Sequence, residues 1–498
     1  MDKSLRKFTL LILLFLSLVS ACAPASGSET DVTEQVVVEP TLTATSEPTA
    51  TPSPTPTPLP LGGQQTEYHI DATINYYNRF ISVTSRSVYT NKTNTPIPEM
   101  VFIVYPAIFN AVYIRSVELG DGTPVENRRW ESHRVIIPLD TPLQPGEQIE
   151  IIFDYELYMP DRDGVFGQTG RQLLLSYWYP TIPPYDEEQG WLAYEVSIIN
   201  SDFVGEYQTF ESADFFVNVS FTDRGENLDI AAGAIPEMED GKYHFHLPLA
   251  RTFVMGVSDS YNIIEREWNG VLVRGYTLPE VEETAQVLVD LAKESLQLYS
   301  ELFSPYERDL ISIVQVDMFM NMEFDGIIMI QSSYIWTYHY HTPPRTSLHI
   351  IVPHEISHQW FFGLVGNNQA IEPWLDEAFA TYAEALFYEY QYPEDLEWWW
   401  QERVFNHLPT GTIDTDIYLS GGLPEYMHRV YRRGALFTQE LRDMIGDEVF
   451  FDFVRAYIDE YRYDIATGEG FWNLLLEHTD ADLTPLLDTY FSDPPVSP

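Results

Sequence analysis

Hydrophobic positions in residues 66–262 fall in short runs, several of them alternating with polar residues. Phe80 to Tyr89, Met100 to Tyr105, Val135 to Pro138, Ile149 to Tyr155, Phe215 to Phe221 and Lys242 to Leu247 read as strands, and Asp121-Gly122 and Pro145-Gly146 supply turns. No long helical period interrupts them, so this half predicts an all-β domain of sandwich type, placed at residues 64–265. The pattern then changes. Pro279 followed by Glu280, Glu282 and Glu283 marks a helix start, with acidic side chains at the positive end of the helix dipole. Val281, Ala285, Leu288, Ala292 and Leu296 keep near-helical spacing in a run that reaches Phe303. Leu310 to Val316 and Gly326 to Ile335 read as strands, and two helical runs follow, one around residue 354 and one around residue 377. The chain therefore reads as an α+β multidomain protein, with a mainly α second part over residues 266–498.

Composition narrows the partners. The chain has 498 residues, 45% of them hydrophobic and 14% aromatic, which is enough to build packed cores. Lys and Arg number 27 against 75 Asp and Glu, a net charge of −48. These acidic residues are spread along the sequence with no basic cluster to offset them, so the surface repels nucleic acid and anionic lipid.

The first residues read as a targeting segment. Lys3, Arg6 and Lys7 precede an apolar run from Phe8 to Val19 that is too short to span a bilayer. Val19-Ser20-Ala21-Cys22 resembles a bacterial lipobox, and Cys22 is the single cysteine of the chain. Residues 1–22 are thus expected to be a lipoprotein signal peptide with Cys22 as the lipidation site, giving an extracytoplasmic protein anchored to a bacterial membrane. Residues 23–63 are rich in Thr, Pro and Ser, as in TATPSPTPTPLP, and read as an extended tether.

The stretch that carries chemistry is His354-Glu355-Ile356-Ser357-His358. Histidines four apart share one face of a helix and can bind one metal, and the glutamate beside the first can act as a base toward water held there. A catalytic zinc site takes three protein ligands, so a third must come from elsewhere. Glu377, in WLDEAFATYAE on the next helical run, is the best candidate. Tyr338-His339-Tyr340-His341 precedes Thr342-Pro343-Pro344 and reads as a loop, and Trp398-Trp399-Trp400 reads as core.

HEISHQWFFGLVGNNQAIEPWLDEAFATYAEALF resembles the zinc segment of the gluzincin aminopeptidases, peptidase family M1. That family's pattern is H-E-x-x-H, eighteen residues, then E, and eighteen residues separate His358 from Glu377. The resemblance implies one Zn2+ held by His354, His358 and Glu377, with Glu355 as general base. It implies that Glu384 supports the ligands from behind. It also implies that Glu323 binds the substrate's free α-amine and that Tyr431, in VYRRGALF, donates to the oxyanion. Here Met320 and Asn321 stand where the family has glycines, Phe324 replaces an asparagine, and Arg433 replaces a lysine. Tyr426 also matches a tyrosine found near the site in some members. The family usually draws a second acidic or amide contact from its β domain, and the sequence does not place it.

The fold so implied is an N-terminal β domain followed by a thermolysin-like catalytic domain. The implied function is a zinc metallopeptidase, an aminopeptidase acting on peptides. Two other readings stay open: an endopeptidase on the same scaffold, and a non-enzymatic surface binding lipoprotein with a decayed peptidase fold.

Overall fold

A computed structural model describes residues 65–492 except 200, 201, 224–226, 280 and 281. The signal peptide, Cys22 and the whole tether lie outside the described residues. No helix among the described residues is long and apolar enough to cross a membrane.

The first half is built on a seven-stranded sheet. Its central strands, Thr66–Asn75 and Phe80–Thr90, pair antiparallel and alternate buried with exposed side chains, as a sheet with one wet face requires. Gln148–Tyr158 and Val112–Leu119 extend it on one side. Ala213–Phe221, which runs parallel to Thr66–Asn75, extends it on the other with Lys242–Ala250 and Glu237–Glu239. A three-stranded sheet (Ile97–Ile103, Arg134–Leu143 and Arg129–Glu131) and a four-stranded sheet complete the β half. The buried side chains of all three belong to one hydrophobic core that continues into the second half.

A further, five-stranded sheet carries Glu323 on its edge strand. Asn262–Trp268 and Val271–Thr277 form its first hairpin, so the domain boundary expected at 265 falls inside a strand. Helix α1 (Glu282–Leu302) then crosses to Leu310–Val316, which pairs parallel with Val271–Thr277. All seven residues of Leu310–Val316 are buried, the mark of a strand covered on both faces. Ile327–Gln331 adds a parallel strand, and Met322–Phe324 folds back on it as the antiparallel edge.

The strand expected over Gly326 to Ile335 is shorter than its apolar run. It ends at Gln331, and Ser332–Thr337 form helix α2. IIMIQSSYIW has no clear period, and a continuous apolar run does not distinguish a strand from a buried helical turn. Ser332 Oγ donates to Asp317 Oδ1 at 2.7 Å and accepts from Gln315 Nε2 at 3.0 Å, which fixes the change of direction. Helix α3 (Ser347–Ser357) follows, capped by the Thr346 hydroxyl and containing Pro353. Helix α4 (Trp374–Gln391) packs against α3, and α5 (Leu396–Arg403) packs on α4.

Two features lock the halves together. The Arg251 guanidinium is buried and donates to the carbonyls of Phe210, Leu364 and Asp464 at 2.8–3.2 Å. Gly326 (φ +69) and Gly233 touch backbone to backbone: a Cβ on Gly233 would sit 2.1 Å from Asp325 O, so neither position admits a side chain. Asp325, also buried, accepts from the Arg251 and Thr252 amides and from Arg308. The hairpin that bears Glu323 is therefore pinned against the β half.

Candidate active site

Helix α3 delivers His354 and Glu355 from its last turn, and His358 sits at its C-cap with helical φ and ψ. The two imidazoles share one face, with Nε2 atoms 3.2 Å apart. Glu377, in the first turn of α4, brings Oε2 to 3.2 Å from His354 Nε2 and 3.7 Å from His358 Nε2. All three residues are buried.

The outer nitrogens are fixed by acceptors. His354 Nδ1 lies 2.9 Å from Glu384 Oε1, and His358 Nδ1 lies 2.8 Å from the Phe361 carbonyl. A nitrogen facing a carboxylate or carbonyl must carry the proton, which turns both Nε2 atoms inward as lone-pair donors. Glu377 Oε2 accepts no well-directed hydrogen bond although it is buried. Three donor atoms thus converge, and the chemistry of the set fits a divalent metal with N2O ligation. The same demand acts on His354. Burial disfavours its cation, yet the neighbouring Glu377 and Glu384 carboxylates outweigh that and drive its pKa up to about 10. For His358 burial outweighs the Glu377 charge and takes the pKa down to about 4.

Glu384 is not a solvated helix residue. It is fully buried and accepts from Arg403 Nε and Nη2, both at 2.8 Å, and from Trp399 Nε1 at 3.1 Å. Burial raises its pKa, but Arg403 and His354 prevail and hold it below the usual range. The Trp run packs as core only in part: Trp399 is buried, and its ring N–H serves the site. Sequence reasoning missed Arg403 altogether.

Glu355 Oε2 is buried without a hydrogen-bond partner, and burial lifts the carboxyl to about 8, with the Glu377 and Glu206 charges adding to the effect. Tyr431, on the π-helical turn Met427–Arg433, stacks on the His354 ring at 5.9 Å and donates to Glu377 Oε1 at 2.6 Å. Tyr426 is buried against Tyr431, its hydroxyl unpartnered.

Glu323 lies on the edge strand beside Glu355 and His358, their side-chain ligand atoms within 4.8 Å of one another. Gln359 positions this strand, donating to Phe324 O and accepting from Gly326 N, both at 2.9 Å. Gln369 reaches Glu323 Oε1 at 3.4 Å and Asp376 Oδ2 at 3.1 Å. Burial drives the Glu323 pKa well above the carboxylate range, helped by repulsion from Glu206, Glu355 and Glu377. Glu206 comes from the β half and was not foreseen. Burial and the Glu377 charge raise it to about 7. Its only sequence signal is negative charge in an otherwise featureless GEYQT stretch.

Residues 287–490 match the family model described as the Peptidase family M1 domain. This region is similar to that family's peptidase domain. Aminopeptidase N of Lactobacillus helveticus is 24% identical to the chain over 298 residues, covering 53% of this chain and 34% of that protein. Endoplasmic reticulum aminopeptidase 1 of Mus musculus is 24% identical over 283 residues, covering 54% and 30%. The chain thus spans about a third of the length of these curated relatives. The matched region and the β half together share the fold of an M1 zinc metallopeptidase from Deinococcus radiodurans, solved with a Tyr-Ser-Ala substrate. The TM-score is 0.60 at 18% identity, covering 88% of this chain and 96% of that one.

Proposed function

We propose that the protein is a zinc-dependent aminopeptidase that removes N-terminal residues from peptides. The observation that carries this is the convergence of His354 Nε2, His358 Nε2 and Glu377 Oε2 beside an unpartnered Glu355, next to two further carboxylates, the buried Glu323 and the half-buried Glu206. Zinc, when bound by those three residues, acidifies water and polarises a peptide carbonyl. Glu355 takes the proton of the attacking water and returns it to the departing amine, a role suited to a carboxyl whose pKa is raised toward neutrality. The Tyr431 hydroxyl, bonded to Glu377 in the free protein, is the group available to donate to the oxyanion. Glu323 and Glu206 receive the substrate's ammonium, whose charge relieves their mutual repulsion.

Beside Glu206 a cavity of about 210 Å3 opens between Tyr105, Tyr177, Tyr207, Met318 and Met322. Its aromatic and thioether lining suits a large apolar first side chain. The structural relative crystallised with Tyr-Ser-Ala agrees with that choice. For the N-terminal segment we propose the lipoprotein reading, with membrane attachment through acylated Cys22. The basic, apolar and Val19-Ser20-Ala21-Cys22 segments support it. Incorporation of a labelled fatty acid, lost in Cys22→Ser, tests it.

The function is tested with aminoacyl fluorogenic substrates on purified protein of measured zinc content. Release from Phe- and Tyr-substrates that a chelator abolishes and zinc restores is expected. Stoichiometric zinc with no release from any free-amine substrate would contradict the reading and favour a binding protein.

A further inference from the structure

The cavity beside Glu206 has a wall that an apolar side chain does not use. Arg162 and Asp163 line it together with the tyrosines and methionines. Arg162 is half-buried, and several contacts hold its side chain. The guanidinium carbon lies 4.2 Å from the centre of the Phe109 ring, a cation–π contact. The fork also lies against Gly164, where a Cβ would stand 2.6 Å from Nη1 and 2.9 Å from Nη2, so only glycine leaves it room. Nη1 donates to the Phe166 carbonyl at 3.0 Å. The fork is therefore in place before any ligand arrives, and binding orders it little further.

The rings between Arg162 and the carboxylates locate it along the cavity. Tyr177 stands at the amine end: burial raises its phenol, and the Glu206 and Glu323 charges add to the rise. Met322, which also lines the cavity, directly precedes Glu323. Tyr105 packs edge-on against Tyr177, with ring centroids 5.3 Å apart. Burial raises the Tyr105 phenol as well, but the charge beside it is the Arg162 cation, which works the other way. One aromatic step thus separates the carboxylates that receive an ammonium from a guanidinium. A first side chain that starts at Glu323 and Glu206 and follows this wall brings its tip to Arg162.

The lining selects the tip. A guanidinium only donates hydrogen bonds, so the tip must accept one. A carboxylate tip would meet Asp163 and Glu206 on the same lining, and an ammonium tip would meet Arg162. A neutral oxygen at the end of a flat ring avoids both, and the Tyr and Met walls suit the ring. We infer that Arg162 is a specificity-determining residue that reads the phenolic oxygen of an N-terminal tyrosine, so that tyrosine is preferred over phenylalanine as the residue removed. This rests on the aminopeptidase reading and names the side chain that its cavity selects.

The test uses full-length zinc-loaded protein carrying Glu355→Gln, so that binding is read without turnover. Tyr-Ala-Ala and Phe-Ala-Ala are titrated with and without Arg162→Met, which keeps an unbranched apolar stem and removes the fork. Tyr-Ala-Ala is expected to bind about tenfold more tightly, as a charge-assisted hydrogen bond at a half-buried site allows. Arg162→Met brings that ratio to about one, with circular dichroism and zinc content unchanged. Equal binding of the two peptides before that substitution, or a tyrosine preference that survives it, overturns the role of Arg162. A peptide beginning with 4-aminophenylalanine gives a second reading that needs no change at Arg162. Its ring amine donates but accepts poorly, so it should bind like Phe-Ala-Ala. Binding as tight as that of Tyr-Ala-Ala would make Asp163 the reader and overturn the inference. N-acetyl-Tyr-Ala-Ala separates this from the wider reading. If it binds as well as the free amine, the aminopeptidase reading fails, while the Tyr-to-Phe ratio still decides Arg162.

Discussion

Two groups of carboxylates, all buried except the half-buried Glu206, flank the metal ligands, and they are treated in opposite ways. Glu377 and Glu384 are surrounded by partners: two imidazoles and a tyrosine hydroxyl for the first, and an imidazole, an indole N–H and the Arg403 fork for the second. Those partners overcome burial, and both acids stay below their ordinary pKa. Among the described residues Glu323, Glu206 and Asp376 form no ion pair, and burial with repulsion from neighbouring carboxylates pushes all three up. Buried charge without a partner is expensive, so a fold that keeps it has a use for an incoming positive group. The first group holds the metal ligands in place. The second waits for an ammonium.

That contrast can be broken or sharpened by substitution, and Glu355→Gln has the largest expected effect. Removing the general base should lower kcat by about a thousandfold, the middle of the range for acid–base catalysis, while zinc content by metal analysis stays at the wild-type level. Loss of zinc together with activity would show that Glu355 holds the ligands and not the water. Tyr431→Phe should lower kcat by about a hundredfold with little change in KM, because an oxyanion donor acts only in the transition state. Glu384→Gln belongs to the compensated group and should weaken zinc binding about 10–100-fold, measured by competition with a chromogenic chelator. Unchanged affinity would separate the Arg403–Glu384 pair from the metal ligands.

A smaller effect comes from a third kind of buried group. His349 lies one turn before Pro353 on α3 and is buried without a carboxylate, and burial takes its pKa down to about 4. The unfolded chain binds a proton there below about pH 6.5 and the folded chain does not, so stability falls as pH drops through this window. Between pH 6.5 and pH 4.5 the loss should be about 2 kcal/mol, and denaturant titrations of wild type against His349→Gln measure it. A variant with the same acid sensitivity as wild type would show that His349 charges without cost.

The compensated end was legible in the sequence and the uncompensated end only in part. His354, His358, Glu377 and Glu384 lie within 31 residues on two consecutive helices; spacing pairs the two histidines, and the family resemblance singled out Glu377 and Glu384 on the next helix. Glu323 was reachable by resemblance, although its environment was not: the Gly233–Gly326 contact and the Gln359 clamp that aim it are long-range. Glu206 arrives from the β half, 148 residues before His354, where neither periodicity nor charge distinguishes it. Trp399 was read as core and is buried, yet the ring nitrogen that supports Glu384 has no sequence signature. The strand expected to run to Ile335 ended at Gln331 for a related reason, since the side-chain bonds of Ser332 decide the turn and hydrophobicity does not.

The central claim is that Glu323 and Glu206 are left uncompensated in order to receive a substrate's ammonium. It is tested most directly by comparing kcat/KM for a free-amine Phe substrate and its N-acetyl twin in wild type and in Glu323→Gln. The account predicts that wild type favours the free amine by at least about a hundredfold and that Glu323→Gln removes most of that preference, as loss of a buried charge-assisted contact should. Equal cleavage of the two twins by wild type would contradict it and make the protein an endopeptidase on the same scaffold.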